Sequence, residues 1–260
     1  MAGKGAQMGI LVEVCCGSVE DGVEAQAGGA DRIELNSSLF FGGLTPSIGT
    51  VVEAKRLLHI PVMVMIRPRG GGFCYTETEL RVMERDIDEA VEHGADGIVF
   101  GVLTAEGAID EPASRRLLVH VKGKQAVFHR AFDVMRDPES GLEKLIDLGF
   151  RRILTTGRRS QIEDGAAAVR RTISQASGRI EILPGGMVPR NVTRLAAEIG
   201  CDQVHIASFL RRSDPSARGN AEIYFGAALY PPEDSYDVID RGFVQSMREL
   251  SRRPDERPAR

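Results

Sequence analysis

Tryptophan is absent from the 260-residue chain, and aromatic residues make up only 5% of it. That scarcity argues against a platform of stacked rings for single-stranded nucleic acid or sugars. Long apolar runs are missing too. No stretch approaches the ~20 residues of a membrane span, and the opening Met1-Ala-Gly-Lys-Gly-Ala-Gln lacks the apolar centre of a secretory signal. A cytoplasmic protein with no membrane partner is expected. Charge of one sign is not in excess, because 33 Lys and Arg face 37 Asp and Glu for a net charge of −4. The basic surplus of a nucleic-acid binder is lacking, and no nucleic-acid partner is expected. The cysteines are Cys15, Cys16, Cys74 and Cys201. None has the C-x-x-C spacing of a zinc or redox site, and a Cys15–Cys16 bridge would close a strained ring, so free thiols are expected. The G-x-G-x-x-G, G-x-x-x-x-G-K-[ST], H-E-x-x-H and G-x-S-x-G patterns are all absent.

Glycine, in contrast, is plentiful at 29 residues, and four glycines open a repeat. The segments Gly29-Ala-Asp-Arg-Ile-Glu-Leu, Gly94-Ala-Asp-Gly-Ile-Val-Phe, Gly149-Phe-Arg-Arg-Ile-Leu-Thr and Gly200-Cys-Asp-Gln-Val-His-Ile each follow an amphipathic run. Each reads as a helix ending at a glycine and turning into a strand. Four further apolar runs, Ile10 to Cys15, Pro61 to Ile66, Gln125 to His129 and Ile180 to Leu183, have the length and composition of buried parallel strands. Helices are expected over Val19–Gly28, Ser47–His59, Glu77–His93, Pro112–Lys122, Pro138–Leu148, Gln161–Ala176, Pro189–Ile199 and Tyr236–Leu250. Thr76 with Glu79 forms a capping-box signature, and Pro112, Pro138 and Pro189 suit first helical positions. Eight alternating units of ~30 residues predict a single-domain α/β fold, the (β/α)8 TIM-type barrel. It spans residues 9–250, between a flexible N-terminus (1–8) and a flexible C-terminal tail (251–260). A doubly wound sheet would need a glycine-rich nucleotide loop after its first strand, which is missing.

Barrel active sites lie at the C-terminal ends of the strands, and polar residues accumulate there. Strand alternation places Glu13 with Cys15, and Glu34 with Asn36, inside the barrel, while Val12, Val14, Ile33 and Leu35 face the helices. By the same count Met63 and Met65 lie beneath Arg67, and Val127 beneath His129. His129 and His205 end strands and are functional candidates. His59, His93 and His120 end helices, where the dipole favours a cation without any chemistry. Arg67-Pro68-Arg69 followed by Gly70, Gly71 and Gly72 reads as an anion clamp. Arg130 stands beside it, and Gly185 with Gly186 supplies backbone amides. General acid–base work on a small anionic or phosphorylated metabolite would use Glu13, Glu34, His129, Asp133 and His205. Arg67 and Arg69 would hold the anion, His129 or Glu34 would move the proton, and Asp133 would orient its neighbour. The plainer alternative is a salt-bridged interior layer with no reaction. The segment from Ser208 to Ser235 is long for a βα loop and reads as a lid or an oligomer contact.

Six motifs in order then carry a resemblance. They are Glu13-Val-Cys-Cys, Gly29-Ala-Asp-Arg-Ile-Glu-Leu, Gly43-Leu-Thr-Pro-Ser, Ile66-Arg-Pro-Arg-Gly-Gly, Phe128-His-Arg-Ala-Phe-Asp and Pro184-Gly-Gly. Together they resemble the CutC copper homeostasis family from about Gly9 to the C-terminal helix. The resemblance implies a cytoplasmic barrel, a homo-oligomer, and copper tolerance with copper (Cu(I)) as the bound ion; it implies no settled reaction. It also implies two cysteine ligands. Cys15 matches the first, whereas Asn36 stands at the second, and an amide is a poor ligand for a soft ion. Cys16 is turned towards the helices; Cys74 in the glycine loop, with Met65, is an alternative source of soft ligands, though such residues more often fill core and loops, and Cys15 is the expected metal ligand.

Overall fold

The computed structural model describes residues 9–220, 222–225 and 235–251. Eight strands, β1 (Leu11–Cys16), β2 (Arg32–Leu35), β3 (Val62–Met65), β4 (Gly97–Phe100), β5 (Gln125–Phe128), β6 (Arg152–Thr155), β7 (Glu181–Pro184) and β8 (Gln203–Ile206), pair in parallel. Between them run α1 (Val19–Ala27), α2 (Ile48–Leu57), α3 (Glu77–Glu92), α4 (Glu111–Val121), α5 (Pro138–Leu148), α6 (Ile162–Ala176) and α7 (Val192–Ile199). The order β7-β6-β5-β4-β3-β2-β1-β8, with one parallel bridge between Gly185 and His205, makes the sheet a TIM-type (β/α)8 barrel, as the alternation predicted.

The four repeats are the helix-to-strand corners. Gly149 and Gly200 cap α5 and α7 at φ 84° and 77°, and Gly29 and Gly94 stand one residue beyond the caps of α1 and α3 at φ 91° and 92°. A side chain rarely tolerates these left-handed values. The aspartates of the first two repeats reach back to the preceding strand: Asp31 accepts the Val12 N–H and Asp96 the Val62 N–H, both at 2.8 Å. Helix starts follow their caps. Thr76 and Glu79 complete the capping box of α3, and Asp137 caps α5 ahead of Pro138. Pro189 falls in a turn, and α7 starts three residues later.

One expected helix is partly a strand. Residues Ser235–Ile239 form β10, antiparallel to β9 (Phe209–Ser213), and α8 occupies Arg241–Ser251. The Asp240 side chain accepts the Phe243 N–H at 3.0 Å, so the N-cap signal that starts α8 lies four residues after Tyr236. Ser251, expected in the tail, is the buried last residue of α8, and its carbonyl accepts the Ile10 N–H at 3.0 Å. Residues 1–8, most of the expected tail and residues 226–234 of the long segment lie outside the described residues.

Strand alternation sorts the core as expected. Val12, Val14, Ile33 and Leu35 join the cluster between sheet and helices, whereas Met63, Met65, Val99 and Val127 form a separate one inside the barrel. Gly97 makes room there, since a Cβ on it would stand 2.5 Å from the Met63 sulfur. The N-terminal end of the barrel is closed by polar side chains. Glu13 pairs with Arg32, Arg32 Nη2 donates to Gln203 Oε1 at 2.6 Å, and Arg152 bridges Gln203 and Glu181.

Candidate functional site

A cavity of about 600 Å3 opens at the C-terminal ends of the strands, where barrel chemistry resides. Cys15 from β1, Glu34 and Asn36 from the end of β2, Arg67 after β3, His129 after β5 and His205 from β8 all line it, so one strand-end count brings them together. Glu13 does not line it. The side chain lies one layer deeper, and its Oε1 meets His205 Nδ1 at 2.8 Å while Oε2 pairs with Arg32.

Buried opposite charges govern this end of the cavity. Burial opposes ionisation of Glu13, yet Arg32 and His205 hold its carboxyl down at about 2. Burial also works against a charged His205, but the Glu34 charge and hydrogen bonding with Cys15 and Glu13 keep this imidazole well above its usual range. Glu34 and the Cys15 thiol are both pushed up, chiefly by burial. A buried cation thus sits between two carboxyl groups, with a thiol beside it.

Cys15 Sγ, a Glu34 oxygen and a His205 ring nitrogen lie within 4.8 Å of one another. With Nδ1 engaged by Glu13, Nε2 is the ring atom left for ligation, and a carboxylate behind a ligating imidazole is the usual support of a metal site. Asn36 turns its amide hydrogens inward: Nδ2 stands 3.0 Å from Glu34 Oε2 and 3.5 Å from Cys15 Sγ. The amide therefore tethers these groups and offers no lone pair in place of a second thiolate. Its Oδ1 is packed towards Gly43, where an added Cβ would come within 2.4 Å.

The expected anion clamp is rearranged. Arg67 is buried, and its guanidinium donates to the carbonyls of Phe41 (2.8 Å), Gly43 (3.0 Å) and Gly71 (2.6 Å). Arg69 is not beside it in the cavity. It pairs with Glu79 at 2.5 Å and donates to the Cys74 carbonyl, because β3 ends at Met65 and strand alternation no longer applies beyond it. The amides of Gly185 and Gly186 are already committed, to Thr155 O (2.9 Å), continuing the β6–β7 pairing, and to His205 O (3.1 Å), closing the barrel onto β8. Arg130 lines the cavity with its charge answered by Asp133 at 2.9 Å. Asp133 also accepts from the Thr155 hydroxyl (2.5 Å) and from the Thr156 and Arg158 amides, tying the turn after β5 to the end of β6.

Several residues at or beneath the site escaped the sequence reading. Counting back two places from Glu34 and His205 reaches Arg32 and Gln203, so alternation carried a signal for the polar layer. Phe73 carried none. Its ring stands 4.8 Å from the His129 ring and 5.3 Å from Arg67 Cζ, a position set by the fold of the glycine-rich loop.

Residues 10–209 match the family described as the CutC family. A CutC family protein of Treponema denticola is 47% identical over 230 residues, covering 88% of this chain and 94% of its own. A human protein named copper homeostasis protein cutC homolog is 43% identical over 249 residues, covering 95% and 91% respectively. The crystal structure of the CutC protein of Streptococcus agalactiae superimposes with a TM-score of 0.73 at 40% identity, covering 76% of this chain and 98% of that one. Sequence, fold and the six ordered motifs agree, and the chain belongs to the CutC family.

Proposed function

We propose that the protein serves copper homeostasis in the cytoplasm by binding Cu(I) through Cys15 and His205 at the mouth of the barrel. One observation carries this reading: a thiol and an imidazole whose other nitrogen is held by a buried carboxylate converge within 4.8 Å. Thiolate and imidazole suit a soft monovalent ion, whereas Glu34, a hard donor, suits it less. Glu34 instead accepts a proton in the same cluster. The copper homeostasis name of the human relative supports the choice of ion.

Binding must expel the Cys15 proton and the proton of the raised His205, so affinity rises with pH. Competition against a Cu(I) chelator under reducing conditions tests the reading. Cys15→Ser is expected to weaken binding by about a hundredfold or more, and Glu13→Gln by roughly 10–100-fold through the second shell. Asn36→Cys is expected to tighten it by supplying a second thiolate. Wild-type affinity in Cys15→Ser would overturn the proposal.

A further inference from the structure

We propose that the same cavity holds a small organic monocarboxylate, with its carboxylate on Arg67 and His129. This goes beyond the copper reading and does not rest on it. Arg67 is a buried cation with three carbonyl partners and, among the described residues, no carboxylate in ion-pair range. The nearby Tyr75 hydroxyl cannot balance it, since burial pushes that phenol up to about 12. A buried charge without a counter-charge is costly, and an anionic ligand is the remaining way to offset it.

Three buried groups in this corner have no hydrogen-bond partner, Arg67 Nε, His129 Nε2 and the Tyr75 hydroxyl; of these residues, Arg67 and His129, only 6% and 3% exposed, line the cavity and Tyr75 does not. The Ala131 amide donates to His129 Nδ1 at 3.2 Å, which places the ring proton on Nε2. Burial, with Arg67 adding to it, presses this imidazole down to about 3, so it stays neutral and donates a single hydrogen. Phe73 packs against both Arg67 and His129 and lines the same cavity.

The count of charges and donors selects the ligand class. Arg130 is neutralised by Asp133, Arg69 lies elsewhere, and the Gly185 and Gly186 amides are used within the barrel. On the cavity-lining residues, one uncompensated charge and two N–H donors match the two oxygens of a carboxylate. A phosphate dianion would bring more charge and more acceptors than this corner answers. Met65, Phe73, Leu154 and Met187 give the rest of the cavity an apolar wall for the ligand's body, and its volume lies in the range of small-molecule sites.

The test uses the full-length protein without copper, with acetate, lactate, benzoate and inorganic phosphate as probes against chloride at equal ionic strength. At least one carboxylate is expected to raise the melting temperature saturably and to bind more tightly than phosphate. His129→Leu is expected to lose tenfold or more in carboxylate affinity, as removal of a hydrogen bond to a charged group does. Arg67→Met is expected to lose at least as much. Should that variant fail to fold because it also frees three loop carbonyls, His129→Leu alone decides. In the wild type, the His129 Nε2 resonance is expected to shift on carboxylate addition. No saturable carboxylate effect, equal affinity in wild type and His129→Leu, or tighter binding of phosphate would each overturn the proposal.

Discussion

His129 and His205 face one cavity and are driven to opposite charge states. His205 has two carboxyl groups for neighbours and is held protonated, while His129 has burial and Arg67 and is held neutral. The consequences for stability have opposite signs. The raised His205 stabilises the fold fully below the unfolded value near 6.5, and this contribution is lost as pH rises through its folded value. The depressed His129 resists a proton that the unfolded chain accepts, so stability falls as pH drops from 6.5 towards about 3. Glu13, held at about 2, adds its own loss only as pH falls below about 4.5. Between about pH 6 and 4.5, His129 and Glu34 act with opposite signs, because the raised Glu34 carboxyl takes up its proton in the fold before the unfolded chain does and so gains stability as pH falls. As pH falls across that interval, the melting temperature of His129→Gln is expected to rise relative to that of the wild type, since the variant lacks the His129 loss and keeps the Glu34 gain; a constant difference between the two would refute the assignment. Both histidines were legible as strand-end residues. Their charge states were not, because these depend on Arg67 and Glu34, which other strands supply.

Elements meet here at points where one atom decides the fit. Gly165 in α6 packs on the strand-end loop so closely that an added Cβ would stand 1.9 Å from the Thr156 carbonyl oxygen. Gly165→Ala must push α6 away from that loop, and overpacking of this kind typically costs 1–3 kcal/mol, roughly 2–9 °C in melting temperature for a chain of this size. Asp21, in the first turn of α1, carries a second junction. Its Oδ1 accepts the Ile239 N–H of β10 at 2.8 Å and its Oδ2 the Gly17 N–H at 2.9 Å. Asp21→Ala is expected to cost about 3 kcal/mol and to loosen the β9–β10 pair, read as faster amide exchange at Ile239. An unchanged Ile239 exchange rate would contradict this anchoring role. The capping box at Thr76 and Glu79 was plain in the sequence because both partners lie within one turn. The Asp21–Ile239 bond was hidden by more than two hundred intervening residues.

For the whole molecule, the barrel is thinnest at the seam where β7 meets β8, with the two-position pairing of β5 and β6 next. β1 meets β2 and β8 through four paired positions each, whereas β7 reaches β8 through the single Gly185–His205 bridge. Opening should start there. The Gly186 amide, bonded to His205 O, is expected to exchange in smaller openings than the Asn36 amide, bonded to Cys16 O at 2.8 Å. Equal protection of both at the level of global unfolding would show that the seam is as strong as the rest. Because His205 is also a proposed ligand, copper binding is expected to slow exchange at Gly186.

The barrel and the inward set of polar residues were readable from the chain itself, since glycine corners, caps and a period of two are properties of residues close in sequence. The same local rules extended to the Met63, Met65 and Val127 layer and to Glu34, Cys15 and His205 at the strand ends. Beyond a strand's end the period carries no information, which is why Arg69 left the cavity and Phe73 entered its wall. Hydrogen-bond supply is likewise not local. Gly185 and Gly186 offered free amides on paper, and Thr155 and His205 took them when the barrel closed. Tertiary structure alone decided which donors remained, because burial removes water as a partner and leaves each polar group to whatever the neighbouring strands bring within reach.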